Sequence, residues 1–314
     1  MTLDLSVIIV SWNVWPLLDA CLRSLEQRAP DDAPAEVIVI DNGSHDGTPE
    51  RVRQHHPGVC LLEAPENPGF AAANARAAAR ARGQALFFLN PDTEVLPGAL
   101  HTLDQALRQD PTVGAAGPLL LESDGQVQSS RRRFPTRFTL AMEATALQPV
   151  LPARWFSRYY CADLPPDRPQ RPDWLQGAAL LVRRTTWEEV GPFDAGFFMY
   201  FEETDWFRRA AQRGWRALFV PQARVVHHGG RSSTQRSEAS QRAFLASKVR
   251  YAQRHLGPSE ARALTLWLRL LLGGQLASEA AKWVLGHKRP LRRARLAHLS
   301  RLIAERWNHS PVAG

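Results

Sequence analysis

A chain of 314 residues, 44% hydrophobic and 22% charged, holds enough apolar material for one large α/β domain with an appendage, or two small domains, which excludes wholesale disorder. Its three cysteines, Cys21, Cys60 and Cys161, have no metal-ligand spacing and are expected as reduced thiols, with Cys21 and Cys60 packed in apolar surroundings. The net charge of +8 conceals a split: residues 1–205 carry 18 Lys+Arg against 27 Asp+Glu, and residues 206–314 carry 21 against 4, so an acidic front suited to a metal precedes a basic rear suited to an anionic surface or ligand.

The opening MTLDLSVIIVSWN has neither the basic n-region nor the small-residue cleavage site of a signal peptide, so its apolar run is expected as a first strand of a cytoplasmic chain. Strand-like and helical patterns then alternate: LSVIIVSW, VWPLLDACLRSLEQ, EVIVID, DGTPERVRQHH, VCLLEA, FAAANARAAARARG, ALFFLN and PGALHTLDQALRQ. Continuous apolar strands with helical crossovers predict a mainly parallel sheet covered on both faces. Functional residues of such sheets gather beyond the strands' carboxyl ends, where DNGSHDG and NPDTE fall. After VGAAGPLLL, ESDGQVQ predicts a turn between short strands.

Residues 131–173, rich in Arg and Pro, are expected to be loop-rich with one helix around 138–148. WLQGAALLVRR predicts a strand, EETDWFRRAAQRG a helix ended by Gly214, WRALFVP and ARVVHH a pair of strands, and GGRSST a loop. From about residue 236 onward the chain reads as helical. Arg262, Thr265, Arg269, Gln275, Glu279 and Lys282 form a narrow polar stripe against a wide apolar face with Trp267 and Trp283, and the basic KRPLRRARLAHLSR follows. No run reaches the roughly 20 apolar residues of a membrane-spanning helix.

Four stretches carry chemistry. Asp41 and Asp46 flank a tight turn built on Asn42, Gly43 and Gly47; either carboxylate can face a ligand, and Asp46 can instead cap the helix DGTPERV. In NPDT a strand-end carboxylate held by a preceding proline presents a hard oxygen to Mg²⁺ or Mn²⁺, or else belongs to the turn and cap of PGALHTLDQ. The three carboxylates of FEETDWF either raise one pKa toward that of a general base or form an ordinary acidic first helical turn. His227 and His228 end a strand beside GGRSS, which suits a metal ligand next to a phosphate-contacting loop or a structural histidine.

Taken in order, SVIIVSWN, VIVIDNGSHDGT, ENPGFAAANARA, LFFLNPDTEV, WLQGAALLVRR, FDAGFFMYFEETDWFRRA and VVHHGGRSS resemble the family 2 glycosyltransferases of the GT-A fold, in particular their bacterial rhamnosyltransferase-like branch, over about residues 5–235. The resemblance implies an α/β GT-A domain over residues 1–235, divided into a nucleotide-sugar-binding half (1–125) and an acceptor and catalytic half (126–235). A basic amphipathic helical tail (236–314) would follow. It implies that Asp41 accepts from the N3–H of a uracil or thymine nucleotide, which favours a UDP- or dTDP-sugar donor, and that Asn67 and Asn74 lie near ribose and diphosphate. Asn90 and Asp92 would stand at the ends of the family's Asp-Xaa-Asp element, with Asp92 a direct ligand of Mg²⁺ or Mn²⁺. His227 falls where the family has its histidine ligand, with His228 the second choice. Glu203 stands where the base is usually an aspartate, a departure that keeps Glu202 and Asp205 as alternatives.

The implied activity is metal-dependent, inverting transfer of a sugar, rhamnose by subgroup, to a hydroxyl of a glycan or lipid-linked glycan acceptor in cell-surface polysaccharide assembly. SWNVW after the first strand, in place of Gly-x-Gly-x-x-Gly, speaks against a Rossmann dehydrogenase. The basic tail suits a helix on an anionic inner leaflet, a helix docked on the catalytic domain, or an oligomer contact. Two other classes stand beside this one: a nucleic-acid-binding protein using the basic helices, although no nucleic-acid motif is present, and a non-catalytic scaffold of the same fold.

Overall fold

The computed structural model describes residues 3–27, 32, 34–229, 238–286, 288–305 and 307; beyond Gly229 the expected GGRSST loop lies outside them. Along the chain come β1 (Leu3–Ser11), α1 (Trp15–Glu26), β2 (Pro34–Asp41), α2 (Thr48–His55), β3 (Cys60–Glu63), α3 (Phe70–Ala78), β4 (Ala85–Leu89), β5 (Thr93–Val95), α4 (Ala99–Gln109), β6 (Val113–Leu121) and β7 (Val127–Gln128). Then follow β8 (Arg131–Arg132), α5 (Arg137–Met142), α6 (Arg154–Ser157), β9 (Trp174–Leu175), β10 (Ala179–Arg183), α7 (Arg184–Val190), α8 (Glu202–Gln212), β11 (Arg216–His227), α9 (Glu238–His255), α10 (Pro258–Val284) and α11 (Arg289–Ala304).

The main sheet has the order β3-β2-β1-β4-β10-β6-β11-β5, with β7 on β6. The first four strands of that order are parallel, β10 runs antiparallel between β4 and β6, β11 lies parallel to β6, and β5 is antiparallel on β11. Strand alternation explains the unbroken apolar runs. Leu5, Val7 and Ile9 of β1 with Phe87 and Leu89 of β4 pack on one face with Leu18, Leu22, Leu100 and Leu103 of α1 and α4. Ile8, Val10, Leu86 and Phe88 pack on the other, with Ala73 and Ala77 of α3 and Trp206 of α8. Both faces are core, so both residue parities are mainly apolar, and the buried Ser6 of β1 is satisfied by Glu36 at 2.6 Å.

A third cluster joins the rear helices to the sheet domain through Leu140, Phe197, Phe201, Val249, Tyr251, Leu264, Leu268 and Leu299. Trp267 Nε1 donates to Ala141 O at 3.0 Å, and the buried Lys248 Nζ donates to Glu143 O at 2.6 Å. The polar stripe foreseen on α10 is therefore partly internal: Glu279 is buried and pairs with Arg292 at 2.6 Å, while Leu266 and Leu270 are left exposed. Among the described residues no helix is long and apolar enough to cross a membrane.

Several local expectations change. WRALFVP and ARVVHH form one strand, β11, whose pairing with β6 shifts between Val220 and Arg224, where Pro221 cannot donate to the ladder. WLQGAALLVRR breaks at Gln176–Ala178 into β9 and β10. The helix expected around 138–148 stops at Met142. Cys60 is exposed rather than packed, because β3 is the edge strand of the sheet. The turn in ESDGQVQ is present, with Gly125 at φ 82°. Asp46 does not occupy the N-cap of α2, a position held by Gly47; its carboxylate instead accepts from Thr48 N (3.1 Å) and Trp15 N (3.2 Å) and so ties α2 to α1.

Candidate active site

The parallel strands end together, Ser11 opposite Asp41, with Asn42 N donating to Ser11 O at 2.8 Å. Asp41 is buried, and its two oxygens accept from Ser44 N (2.8 Å) and Ser44 Oγ (2.6 Å), which folds DNGS into a tight turn. Ser11 Oγ and Asn42 Oδ1 are enclosed without a hydrogen-bond partner. A buried polar atom left unpaired costs about 1–3 kcal/mol, so this strand end is built as if awaiting a ligand or water.

Gly43 (φ 76°) and Gly69 (φ 88°) frame the same end, where an added Cβ would lie 2.8 Å from Pro65 O and 2.5 Å from Phe198 O respectively. Asn67, itself left-handed at φ 44°, accepts weakly from Gly69 N at 3.4 Å. Asn74 does not join this group: it is buried within α3, and its Nδ2 donates to Phe70 O at 2.9 Å.

NPDT turns directly into β5, and the pairing of Thr93 with His227 sets Asp92 beside the histidine, both buried, with His227 Nε2 3.4 Å from Asp92 Oδ1. His227 Nδ1 lies 2.6 Å from Gln128 Oε1, while Gln128 Nε2 donates to Glu122 Oε1 at 2.9 Å. When Nδ1 carries the ring proton and donates to Gln128 Oε1, Nε2 presents its lone pair toward the Asp92 carboxylate. A lone pair and a carboxylate turned toward each other across that gap fit a divalent cation between them. His228 is spent elsewhere, its Nε2 2.6 Å from Glu94 Oε1 and its Nδ1 2.8 Å from Ser123 Oγ. Among the described residues no group of three His, Cys, Asp or Glu side chains is placed to hold a metal ion, so a cation here would draw its remaining ligands from substrate oxygens and water.

Residues Gln176–Ala178 link the two halves. Asn90 N donates to Ala178 O at 2.9 Å, and Gly177 N makes a long hydrogen bond of 3.4 Å to Glu203 Oε1. Glu202 and Glu203 start α8 after two consecutive left-handed residues, Tyr200 (φ 70°) and Phe201 (φ 67°). Such backbone costs on the order of 1–3 kcal/mol per residue and is a mark of functional sites.

Glu203 is half-buried with its Oε2 enclosed and unpaired, and Glu202 is buried with an unpaired Oε2. Burial pushes both carboxyls above the ordinary glutamate range, and for Glu202 the adjacent Glu203 adds to it. Asp205 is different: it pairs with Arg209 (2.8 Å) and Arg254 (3.2 Å) and meets His255 Nε2 at 2.8 Å, so it has no capacity left for a substrate proton.

The arrangement offers a strand end where the unpaired Ser11 Oγ and Asn42 Oδ1 stand beside the Asp41 carboxylate, a gap between Asp92 and His227 that would fit a cation, and, across Gly177, the Glu203 carboxyl with its raised proton affinity. Sequence reasoning did not select Ser11, Asn42, Gln128 or Gly177. Gln128 was legible only as part of a hairpin, and Gly177 only as an interruption of an apolar run.

The family described as Glycosyl transferase family 2 matches residues 6–162. The chain is 35% identical over 311 residues to the N-acetylglucosaminyl-diphospho-decaprenol L-rhamnosyltransferase of Mycobacterium tuberculosis, covering 94% of this chain and 98% of that protein. Among solved structures it resembles the mannosyltransferase PcManGT from Pyrobaculum calidifontis, in complex with GDP-Man and Mn²⁺, with a TM-score of 0.54 at 22% identity over 97% of this chain and 86% of that one. It also resembles GalNAc-T7 with UDP, GalNAc and Mn²⁺, with a TM-score of 0.55 at 22% identity over 72% of this chain and 43% of that one.

Proposed function

The chain belongs to glycosyl transferase family 2, and from that footing we propose that it is an inverting transferase moving rhamnose from a dTDP- or UDP-sugar to a hydroxyl of a lipid-linked glycan acceptor. The observation that carries this reading is the enclosed, unpaired Oε2 of Glu203, whose other oxygen meets Gly177 N, next in the chain to Ala178, whose carbonyl holds Asn90 N of the Asn90–Asp92 turn.

In the proposed mechanism Asp41, with the orphaned Ser11 Oγ and Asn42 Oδ1, receives the pyrimidine of the donor, and Asn67 and Asn90 border its ribose and diphosphate. Asp92 and His227 would hold Mg²⁺ or Mn²⁺, which when bound supplies positive charge against the leaving nucleoside diphosphate. Glu203 accepts the proton of the acceptor hydroxyl as that oxygen attacks the anomeric carbon from the face opposite the leaving group. General-base help of this kind is typically worth about 10²- to 10⁴-fold. Gly177 N makes a long contact of 3.4 Å to one oxygen of this glutamate, which stands in place of the usual aspartate, and the other oxygen has no partner and would be the one to take the substrate proton. The rhamnosyl donor and the lipid diphosphate acceptor follow from the mycobacterial relative's name; the pyrimidine preference follows from Asp41.

The test is a transfer assay with dTDP- and UDP-rhamnose and a prenyl diphosphate-linked N-acetylglucosamine, run with and without Mn²⁺ beside a thermal-shift panel of dTDP, UDP, GDP and CMP. Glu203→Gln is expected to keep the nucleotide's thermal shift while turnover falls by about 10²-fold or more. Near-normal turnover in that variant would remove Glu203 as base.

A further inference from the structure

Strand β8 is two arginines long, and its partner β9 leads through Gln176 into Gly177, the residue that touches Glu203. Alternation sends the two side chains to opposite faces. Arg131 is buried and satisfied by uncharged partners, the carbonyls of Leu164 and Pro165 at 3.3 Å and the side chain of Gln170, with its guanidinium 4.9 Å from the Phe219 ring centre. Arg133 reaches Asp173 at 3.5 Å.

Arg132, between them, makes no ion pair with a described residue. Its Nη1 donates to Ser129 O (2.8 Å), Ser129 Oγ (3.0 Å) and Arg131 O (2.9 Å), and its guanidinium lies 4.6 Å from the ring centre of Tyr160. One nitrogen is thus pinned, one face is stacked, and the edge carrying Nε and Nη2 meets no acceptor among the described residues. A half-buried guanidinium fixed this way has lost part of its hydration, and the carboxyls of Glu143 and Glu203 act on it only through space, with no ion pair among the described residues, an arrangement that still rewards a bidentate anion at its open edge. The charge also stands close to the catalytic carboxyl: burial raises Glu203, and Arg132 is among the groups that pull it back.

We propose that Arg132 binds the diphosphate of the lipid-linked acceptor, on the strand pair that leads to Gly177 and Glu203, a role that rests on the acceptor reading above. The donor's diphosphate is accounted for at the other end of the Gln176–Ala178 link, at Asp92 and His227. Tyr160 would keep the guanidinium plane upright, and Ser129 would hold its rotation.

Two acceptors separate the possibilities: a short-chain prenyl diphosphate-linked N-acetylglucosamine, and an alkyl N-acetylglucosaminide that lacks the diphosphate. Arg132→Gln in the full chain is expected to lower the preference for the diphosphate acceptor, as a ratio of kcat/KM values, by about tenfold or more. The loss should appear in acceptor KM, with the donor KM moving less than threefold, and Arg132→Lys should recover part of it. Equal losses on both acceptors, or a shift confined to donor KM, would overturn the assignment. If thermal melting shows that Arg132→Gln does not fold, Arg132→Lys and Ser129→Ala are read by the same ratio. A wild-type enzyme that shows no preference for the diphosphate acceptor defeats the acceptor reading and this role together. One that prefers it, while Arg132→Gln keeps the preference, defeats this role alone.

Discussion

Glu202 is a buried acid whose second oxygen has no partner, beside a neighbour that the proposed chemistry needs ionised. Burial and that neighbour hold its proton on well above the ordinary glutamate value of 4.5. Between that unfolded value and the raised folded one, the native state binds one proton more than the unfolded chain, so stability is intact at the acid end and falls as pH rises, by at most about 1.4 kcal/mol per unit. Glu202→Gln keeps the shape and removes the titration. Its Tm advantage over the wild type is expected to grow from pH 4.5 toward neutrality, and melting curves whose difference stays flat with pH would mean that Glu202 is ionised in the fold. Sequence alone could not assign roles among Glu202, Glu203 and Asp205. Two of the three partners that spend Asp205, Arg254 and His255, lie about fifty residues downstream, on a different helix.

At the scale of elements, the alternation of apolar strands and helices made the parallel half of the sheet legible, because each of those strands is buried on both faces. The short pieces were not legible. β5 has three residues and β8 and β9 two each, too few for any periodicity, yet β5 sets Asp92 against His227 and β9 leads to Gly177. The hairpin of β6 and β7 is the case with a measurable consequence. Its turn was visible in the glycine of ESDGQVQ, but only the pairing of Leu120 with Gln128 shows that Gln128 orients His227. Partners of this kind typically contribute 10- to 100-fold in metal affinity. Gln128→Ala should therefore weaken Mn²⁺ binding by about 10-fold or more in calorimetric titration while Tm changes little. Unchanged affinity would show that His227 needs no such support, or is not a ligand.

For the whole molecule, composition revealed a basic rear but not how its helices are used. Part of that charge is internal, in the buried Glu279–Arg292 pair, with the exposed Lys282 and Arg295 drawn to the same carboxylate, and the inner face of α10 is consumed against α5, α9 and α11. Such internal pairing counts against a surface laid out to track nucleic acid, which needs its cations free along one face. What remains outside is concentrated where α10 turns into α11: Trp283, Val284, Leu285 and Leu291 are exposed, Leu285 by 83%, among Lys288, Arg289 and Arg293. Apolar side chains that contribute nothing to the core, ringed by cations each worth about 1 kcal/mol at an anionic leaflet, suit an interfacial wedge. This is also what an enzyme with a lipid-borne acceptor needs. The full chain is expected to float with phosphatidylglycerol-containing vesicles at low salt and less so at high salt, and Val284→Asp with Leu285→Asp is expected to remove most of the bound fraction while leaving nucleotide-induced thermal shifts in place. A wild type that stays at the bottom of the gradient, or a double variant that floats as well as the wild type, would rule out this hairpin end as the anchor. A loss of self-association in the double variant, read by sedimentation without any vesicle effect, would assign the same side chains to a contact between copies instead.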